Sequence, residues 1–309
     1  MVEQGIPPVN VTARNTRIIP FDFDYYEPKT LREALELLDK YGESAKILAG
    51  GTDLLVKMKV RLVEPRVVIN VKKIPGLRYI VEDGDYVRIG ALTTLRDLEK
   101  SDLVKERLPA LYDAVKVMGS VQIRNMATIG GNLCNASPAA DTAPPLLVHN
   151  ARVVLASIYG ERVVPLEEFF VGPGRTVMKP NEMLVEILAE KASRGSSSFK
   201  KVSRVAVDLA IASAAAYVEV EGGIIREARI ALGSVAPKPI RARKTEELVK
   251  GLPVGSEELR KALYALEEEV SPITDVRSTA EYRRYIVKVL AWEAIESAYE
   301  RVAKRAPAS

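Results

Sequence analysis

The chain has 309 residues, 47% of them apolar and 28% charged, with 45 basic side chains against 41 acidic ones. That length leaves room for two or three domains with cores of their own, and the composition is that of an ordinary globular protein, neither disordered nor fibrous. The net charge of +4 is spread along the chain, so no nucleic-acid footprint stands out, and no apolar run approaches the roughly 18 residues of a membrane span.

The N-terminus lacks the apolar core of a signal peptide, so a cytoplasmic protein is expected. Cys134 is the only cysteine and His149 the only histidine. One cysteine forms no internal disulfide, and one of each cannot build a zinc site or an iron–sulfur cluster. Redox chemistry in this chain therefore calls for a bound organic cofactor. No nucleophile or partner pattern surrounds His149, which reads as a packed histidine, and Cys134 reads as a small buried filler.

In chain order, residues 1–17 read as a loose arm. Thr30-Leu-Arg-Glu33 is a capping box that opens a helix, with Leu31, Ala34, Leu35 and Leu38 on one face and Gly42 at its end. Residues 45–49 form a short apolar strand, 53–60 a helix and 67–71 a second strand. Residues 79–90 make a hairpin about Asp83-Gly84, and Thr94-Leu-Arg-Asp97 opens another helix. A further helix spans 108–118 and stops at Gly119. A second hairpin joins 151–157 to 162–166. The polar, Gly/Ser-rich run 193–198 reads as a linker. Beyond it come strands at 211–220 and 224–232 about Gly222-Gly223, a helix over 257–270, and a last helix opened by Ser278-Thr-Ala-Glu281. This mixture excludes all-α and all-β folds and gives an α+β class.

Two glycine pairs stand apart from plain turns. The run Ile47, Leu48, Ala49, Gly50, Gly51, Thr52, Asp53, Leu54 breaks an apolar strand at two glycines and resumes as a helix. The run Thr128, Ile129, Gly130, Gly131, Asn132 opens a stretch to Pro144 almost free of bulky side chains. A dinucleotide pyrophosphate loses its water on binding, and backbone N–H groups at Cβ-free positions reach it closely. Residues 49–53 and 128–132 are therefore expected to grip it from two loops, with Thr52, Thr128 and Asn132 adding side-chain bonds. No G-x-G-x-x-G follows a strand, so a Rossmann site is not indicated, and the lack of a G-x-x-x-x-G-K-[ST] argues against an ATP-hydrolysing P-loop.

AGGTDLL and TIGGNLCNASPAAD, about eighty residues apart, resemble the FAD-binding medium subunit of the molybdenum hydroxylases: the carbon monoxide dehydrogenase, xanthine dehydrogenase and aldehyde oxidoreductase family. The resemblance runs from Phe21 to Ala303. It implies a two-subdomain FAD-binding domain of the PCMH/CO-dehydrogenase flavoprotein type (18–75 and 76–192), followed by a C-terminal α+β domain at 199–305. It also implies that Asp141, with Ser137 nearby, accepts hydrogen bonds from the ribityl hydroxyls, that the Leu184 backbone touches the flavin ring, and that Lys200 approaches the pyrimidine edge. No residue of this chain is expected to be catalytic or to bind a metal. The partners implied are a large molybdopterin subunit that oxidises CO, an aldehyde or a purine and a small subunit with two [2Fe–2S] clusters, assembled as a dimer of heterotrimers. The flavin passes electrons to an outside acceptor. The rival functions are a stand-alone FAD oxidoreductase, which needs an acid or base at the flavin face, and a non-redox nucleotide-binding module, which would be colourless.

Overall fold

Residues 19–305 are described in the computed structural model; the arm expected at 1–17 lies outside them. Strands β1 (Asp24–Tyr26), β2 (Ala45–Leu48) and β3 (Val67–Asn70) pair in parallel in the order β1-β3-β2. Parallel strands need crossover connections, and the helix Leu31–Tyr41 supplies the one from β1 to β2, which flank β3. Thr30 caps it by accepting from the Glu33 N–H at 3.2 Å, while the Glu33 carboxylate accepts from the Lys29 amide at 2.7 Å. Only half of the expected box forms. Gly42, at φ +49°, ends the helix.

The expected hairpins appear as β4 (Ile80–Asp83) with β5 (Tyr86–Gly90), and β6 (Arg152–Ser157) with β7 (Gly160–Pro165). A small pair, β8 (Phe170–Gly172) and β9 (Arg175–Thr176), precedes β10 (Met183–Glu190). The larger sheet runs β4-β5-β10-β6-β7, with β10 at its centre and buried on both faces. Strand periodicity explains how it serves two cores. Val153 and Leu155 face a core with Leu95, Leu111, Leu133 and Leu146 of the intervening helices, whereas Val154 and Ala156 face Tyr26, Val67 and Ile69 of the first sheet.

The third sheet is antiparallel: β11 (Ser196–Val202), β12 (Ala212–Glu221), β13 (Ile224–Gly233) and β14 (Ile240–Arg241). Ala212, Ala214, Ala216 and Val218 pack under the 26-residue helix Ala280–Arg305, against Val287, Leu290 and Ile295. Phe199, Ala215 and Tyr217 point the other way and join the core of the central layer. The third sheet thus closes over the helices Pro109–Lys116 and Ala143–Val148, which flank the second glycine motif in the chain.

The sequence expectations fail locally in three further places. Residues 196–198, expected in a linker, are buried strand: Ser197 Oγ accepts the Ala110 N–H at 3.0 Å and meets His149 Nε2 at 2.8 Å. Ser198 Oγ likewise donates to Asp113 Oδ2 at 3.3 Å, so the polarity of these two serines is satisfied internally and does not mark solvent, while the buried Ser196 Oγ has no partner. The helix expected over 257–270 is broken into Glu257–Ala262, a 3₁₀ turn Leu263–Ala265, and Leu266–Glu269. The last helix is capped one residue later than expected, by Thr279 Oγ1 accepting from Tyr282 N–H at 3.2 Å. Among the described residues no helix is long and apolar enough to cross a membrane.

Candidate cofactor site

The first loop leaves β2 at Leu48 and turns at Gly51, whose φ of +77° favours glycine. Gly50 is needed for a different reason: a Cβ there would lie 2.2 Å from the Met126 carbonyl oxygen, so the two loops touch backbone to backbone. Among the described residues, the amides of Gly50, Gly51, Thr52 and Asp53 donate none of the fold's hydrogen bonds. Four successive unpaired N–H groups around a positive-φ residue are the makings of an anion-binding nest. Ile47 and Leu54 are half-buried and Leu48 is buried, so these three anchor the loop rather than line it.

The second loop works differently from the expectation. Thr128 caps the short helix Ile129–Cys134, its Oγ1 accepting from Gly131 N–H at 3.1 Å. Ile129 N–H donates to Thr93 O and Gly130 N–H to Ala91 O, both at 3.0 Å, and Asn132 N–H donates to Thr128 O at 3.0 Å. These amides are all engaged inside the fold. Here the glycines serve close approach: a Cβ on Gly130 would sit 2.7 Å from Ala91 O, and one on Gly131, which is exposed, would lie 4.0 Å from Ala49 Cβ. One loop offers donors, and the other brings a single exposed glycine, Gly131, beside it.

Polar side chains tie the loops together. Lys57 Nζ donates to Asn135 Oδ1 at 2.6 Å and Asn135 Nδ2 donates to Asp53 Oδ1 at 3.1 Å, joining the first motif to the second. Thr142 Oγ1 donates to Asn132 Oδ1 at 2.6 Å, fixing the loop that carries Ser137 and Asp141. Lys57 lies outside both motifs and looks like an ordinary surface lysine, and Asn135, inside the second motif, has an amide that names no partner by itself. Ser137 is half-buried and its Oγ accepts from Ala139 N–H at 3.2 Å.

Asp141 is 3% exposed. Its Oδ2 accepts from Lys201 Nζ at 2.7 Å, and its Oδ1 is buried with no partner. Burial pushes this carboxyl above the usual carboxylate range, against the opposing pull of Lys201. An orphaned buried acceptor costs about 1–3 kcal/mol unless a donor arrives, which fits a ligand hydroxyl. Leu184 is buried in β10 beside a bulge, and the carbonyl of the next residue, Val185, accepts from Ala91 N–H at 2.9 Å. Because Ala91 O in turn receives Gly130 N–H, Leu184 is braced against the second motif. Lys200 is not brought to Asp141. It pairs across the sheet with Ala214, on the face under the last helix, whereas Lys201 pairs with Ser213 and faces the loops. Cys134 packs its sulfur 3.5 Å from Met178 Sδ, and burial raises its thiol to about 12, as a filler requires. Among the described residues no cluster of His, Cys, Asp or Glu is placed to hold a metal ion.

A donor-rich loop, an exposed glycine beside it at Gly131 and a buried unpaired carboxylate oxygen suit a phosphate- and hydroxyl-bearing cofactor. Residues 21–188 match the FAD binding domain in molybdopterin dehydrogenase, and residues 197–298 match the CO dehydrogenase flavoprotein C-terminal domain. The chain belongs to this family of FAD-carrying oxidoreductase subunits. It is 35% identical over 287 residues to the carbon monoxide dehydrogenase medium chain of Hydrogenophaga pseudoflava, covering 93% of this chain and 100% of that one. It is 33% identical over 277 residues to the glyceraldehyde dehydrogenase medium chain of Sulfolobus acidocaldarius, covering 90% and 98%. The solved carbon monoxide dehydrogenase from Hydrogenophaga pseudoflava superposes with a TM-score of 0.88 at 35% identity, covering 91% of this chain and 98% of that one.

Proposed function

We propose that this chain is the electron-transfer subunit of a molybdenum hydroxylase, holding FAD between its two N-terminal parts, 18–75 and 76–192, with the domain 199–305 closing over them. Bound FAD supplies exchange of electrons singly or in pairs. The chain's own residues do the holding: the amides of residues 50–53 receive the pyrophosphate, Gly131 lets it approach while Gly130 seats that loop on Ala91, and Asp141 Oδ1 accepts from a ribityl hydroxyl. The observation that carries this proposal is the set of four unpaired amides at residues 50–53, with the exposed Gly131 beside that loop.

Electrons would arrive from [2Fe–2S] clusters in a small partner subunit, and a large molybdopterin subunit would oxidise the substrate. Carbon monoxide, an aldehyde or a purine each suits a parent enzyme of this family, because the substrate meets the large subunit. A dimer of heterotrimers in the cytoplasm completes the proposal. Affinity purification of the tagged full chain from its native cells tests it. Molybdenum and iron in the purified complex are expected, and a chain that carries FAD but neither metal would favour the stand-alone flavin oxidoreductase.

The face of β11 that carries Lys200 yields a further prediction. Lys200→Met is expected to leave the reduction potential of the bound flavin unchanged, because the side chain lies on the helix side of the sheet. A fall of tens of millivolts, measured by dye-equilibrated reduction, would put Lys200 at the pyrimidine edge instead.

A further inference from the structure

We propose that Lys201 is a positioning residue for FAD: reaching in from the C-terminal domain, it holds the Asp141 carboxylate so that Oδ1 alone is turned to the cofactor. The inference rests on the proposal above that Asp141 faces the cofactor. The ion pair joins a residue of the FAD-binding domain to one of the C-terminal domain, both side chains being only 4% exposed. Lys201 Nζ occupies Oδ2 at 2.7 Å and also lies 3.4 Å from the Val117 carbonyl, so two fixed acceptors set its position. Oδ1 is left buried and unpaired. A carboxylate free to rotate would share its oxygens between the cation and the cofactor, whereas this one has a single oxygen to offer. Lys201 therefore makes the cofactor site complete only when the C-terminal sheet is docked.

Lys201 is the charge that touches Asp141; of the other charges on the cavity beside it, Asp113 is paired with Arg301 at 2.8 Å, Lys116 lies over the Tyr112 ring, and Lys200 is on the helix side of the sheet. From β12 and β13 the neighbouring residues Ser213, Gly233 and Ser234 are uncharged, and Ser234 N–H donates to Pro138 O at 2.8 Å within the same loop. From the first motif, Asp53 and Lys57 are both engaged with Asn135. Behind Ser234, Arg283 is paired with Asp275 at 2.7 Å. Without the lysine, a carboxylate this buried takes up a proton at higher pH, and a protonated acid is a poorer acceptor.

The test is FAD affinity of the full chain, measured by flavin fluorescence from about pH 5 to about pH 9 to span the range of raised carboxyl pKa values. Lys201→Met is expected to weaken binding about 10- to 100-fold at neutral pH and to move the acid-side loss of affinity to higher pH. Lys201→Arg should keep that limb near its wild-type position, and Asp141→Asn should abolish it whether or not Lys201 is present. Lys201→Gln gives the same readout if the methionine variant does not fold. A limb that stays in place in the methionine or glutamine variant, while Asp141→Asn still weakens binding, overturns the role of Lys201 alone. If Asp141→Asn leaves FAD binding untouched, the assignment of Asp141 falls, and this inference falls with it.

Discussion

Gly50→Val is expected to strip the protein of FAD. A Cβ at this position would stand 2.2 Å from the Met126 carbonyl oxygen and 2.9 Å from Ala127 Cα, both parts of a backbone that cannot rotate aside. The loops must part by about 1 Å, a displacement that costs on the order of 100-fold where a site depends on fixed geometry. Overpacking adds a stability loss of about 1–3 kcal/mol. Gly130→Val should act likewise, because its Cβ meets Ala91 O at 2.7 Å and Ala91 Cβ at 2.8 Å. Gly131 is exposed, and its Cβ approaches only Thr128 Oγ1, at 2.9 Å, and Ala49. Gly131→Val should therefore lose the cofactor at a smaller cost to the fold. Equilibrium dialysis against FAD together with thermal melting separates the two effects. Full FAD occupancy in the Gly50 and Gly131 variants would remove the pyrophosphate from this crevice.

Acid should loosen the protein through His149. The ring is 1% exposed, with Nδ1 2.6 Å from the Glu190 carbonyl and Nε2 2.8 Å from Ser197 Oγ, and it meets Tyr217 edge-on. Burial pulls its pKa down to about 4. In the unfolded chain the imidazole titrates near its ordinary value of about 6.5, so between these limits the unfolded state binds more protons. Stability contributed by the neutral ring is intact above about pH 6.5 and is lost as the pH falls toward about 4, for a total of about 3 kcal/mol. Below that range this histidine adds no further loss. Urea denaturation across the interval checks the slope. His149→Gln, which does not titrate there, should be less stable at neutral pH but should lack this limb. Because Ser197 belongs to the third sheet, the acid-sensitive contact is one that docks it on the central layer.

How much was legible depended on whether a feature is local. Thr30, Thr94 and Gly42 act within one turn of chain, so the helix limits they set follow from side-chain chemistry alone. Both hairpins follow from short turns between alternating runs. The two glycine motifs were visible as motifs, but their division of labour was not. It depends on Ala91 and Thr93, which engage the amides of the second loop and come from another part of the chain. The buried serines 196–198 resemble a linker in composition, and only the docking of β11 shows why Ser197, against Ala110 and His149, and Ser198, against Asp113, are polar. The lysine pair is similar. Strand alternation dictates that Lys200 and Lys201 face opposite ways, yet which of them meets Asp141 is fixed by register against β12, a long-range property.

The decisive measurement is the visible absorption spectrum of the purified full chain after loading with FAD and removal of the excess, with the released cofactor identified by chromatography. A flavin spectrum that yields intact FAD at one equivalent per chain is the expected result. A folded, colourless protein that ignores FAD even with its partner subunits present would contradict the cofactor site built on residues 50–53, Gly130, Gly131 and Asp141, and would leave a nucleotide-binding module without redox activity in its place.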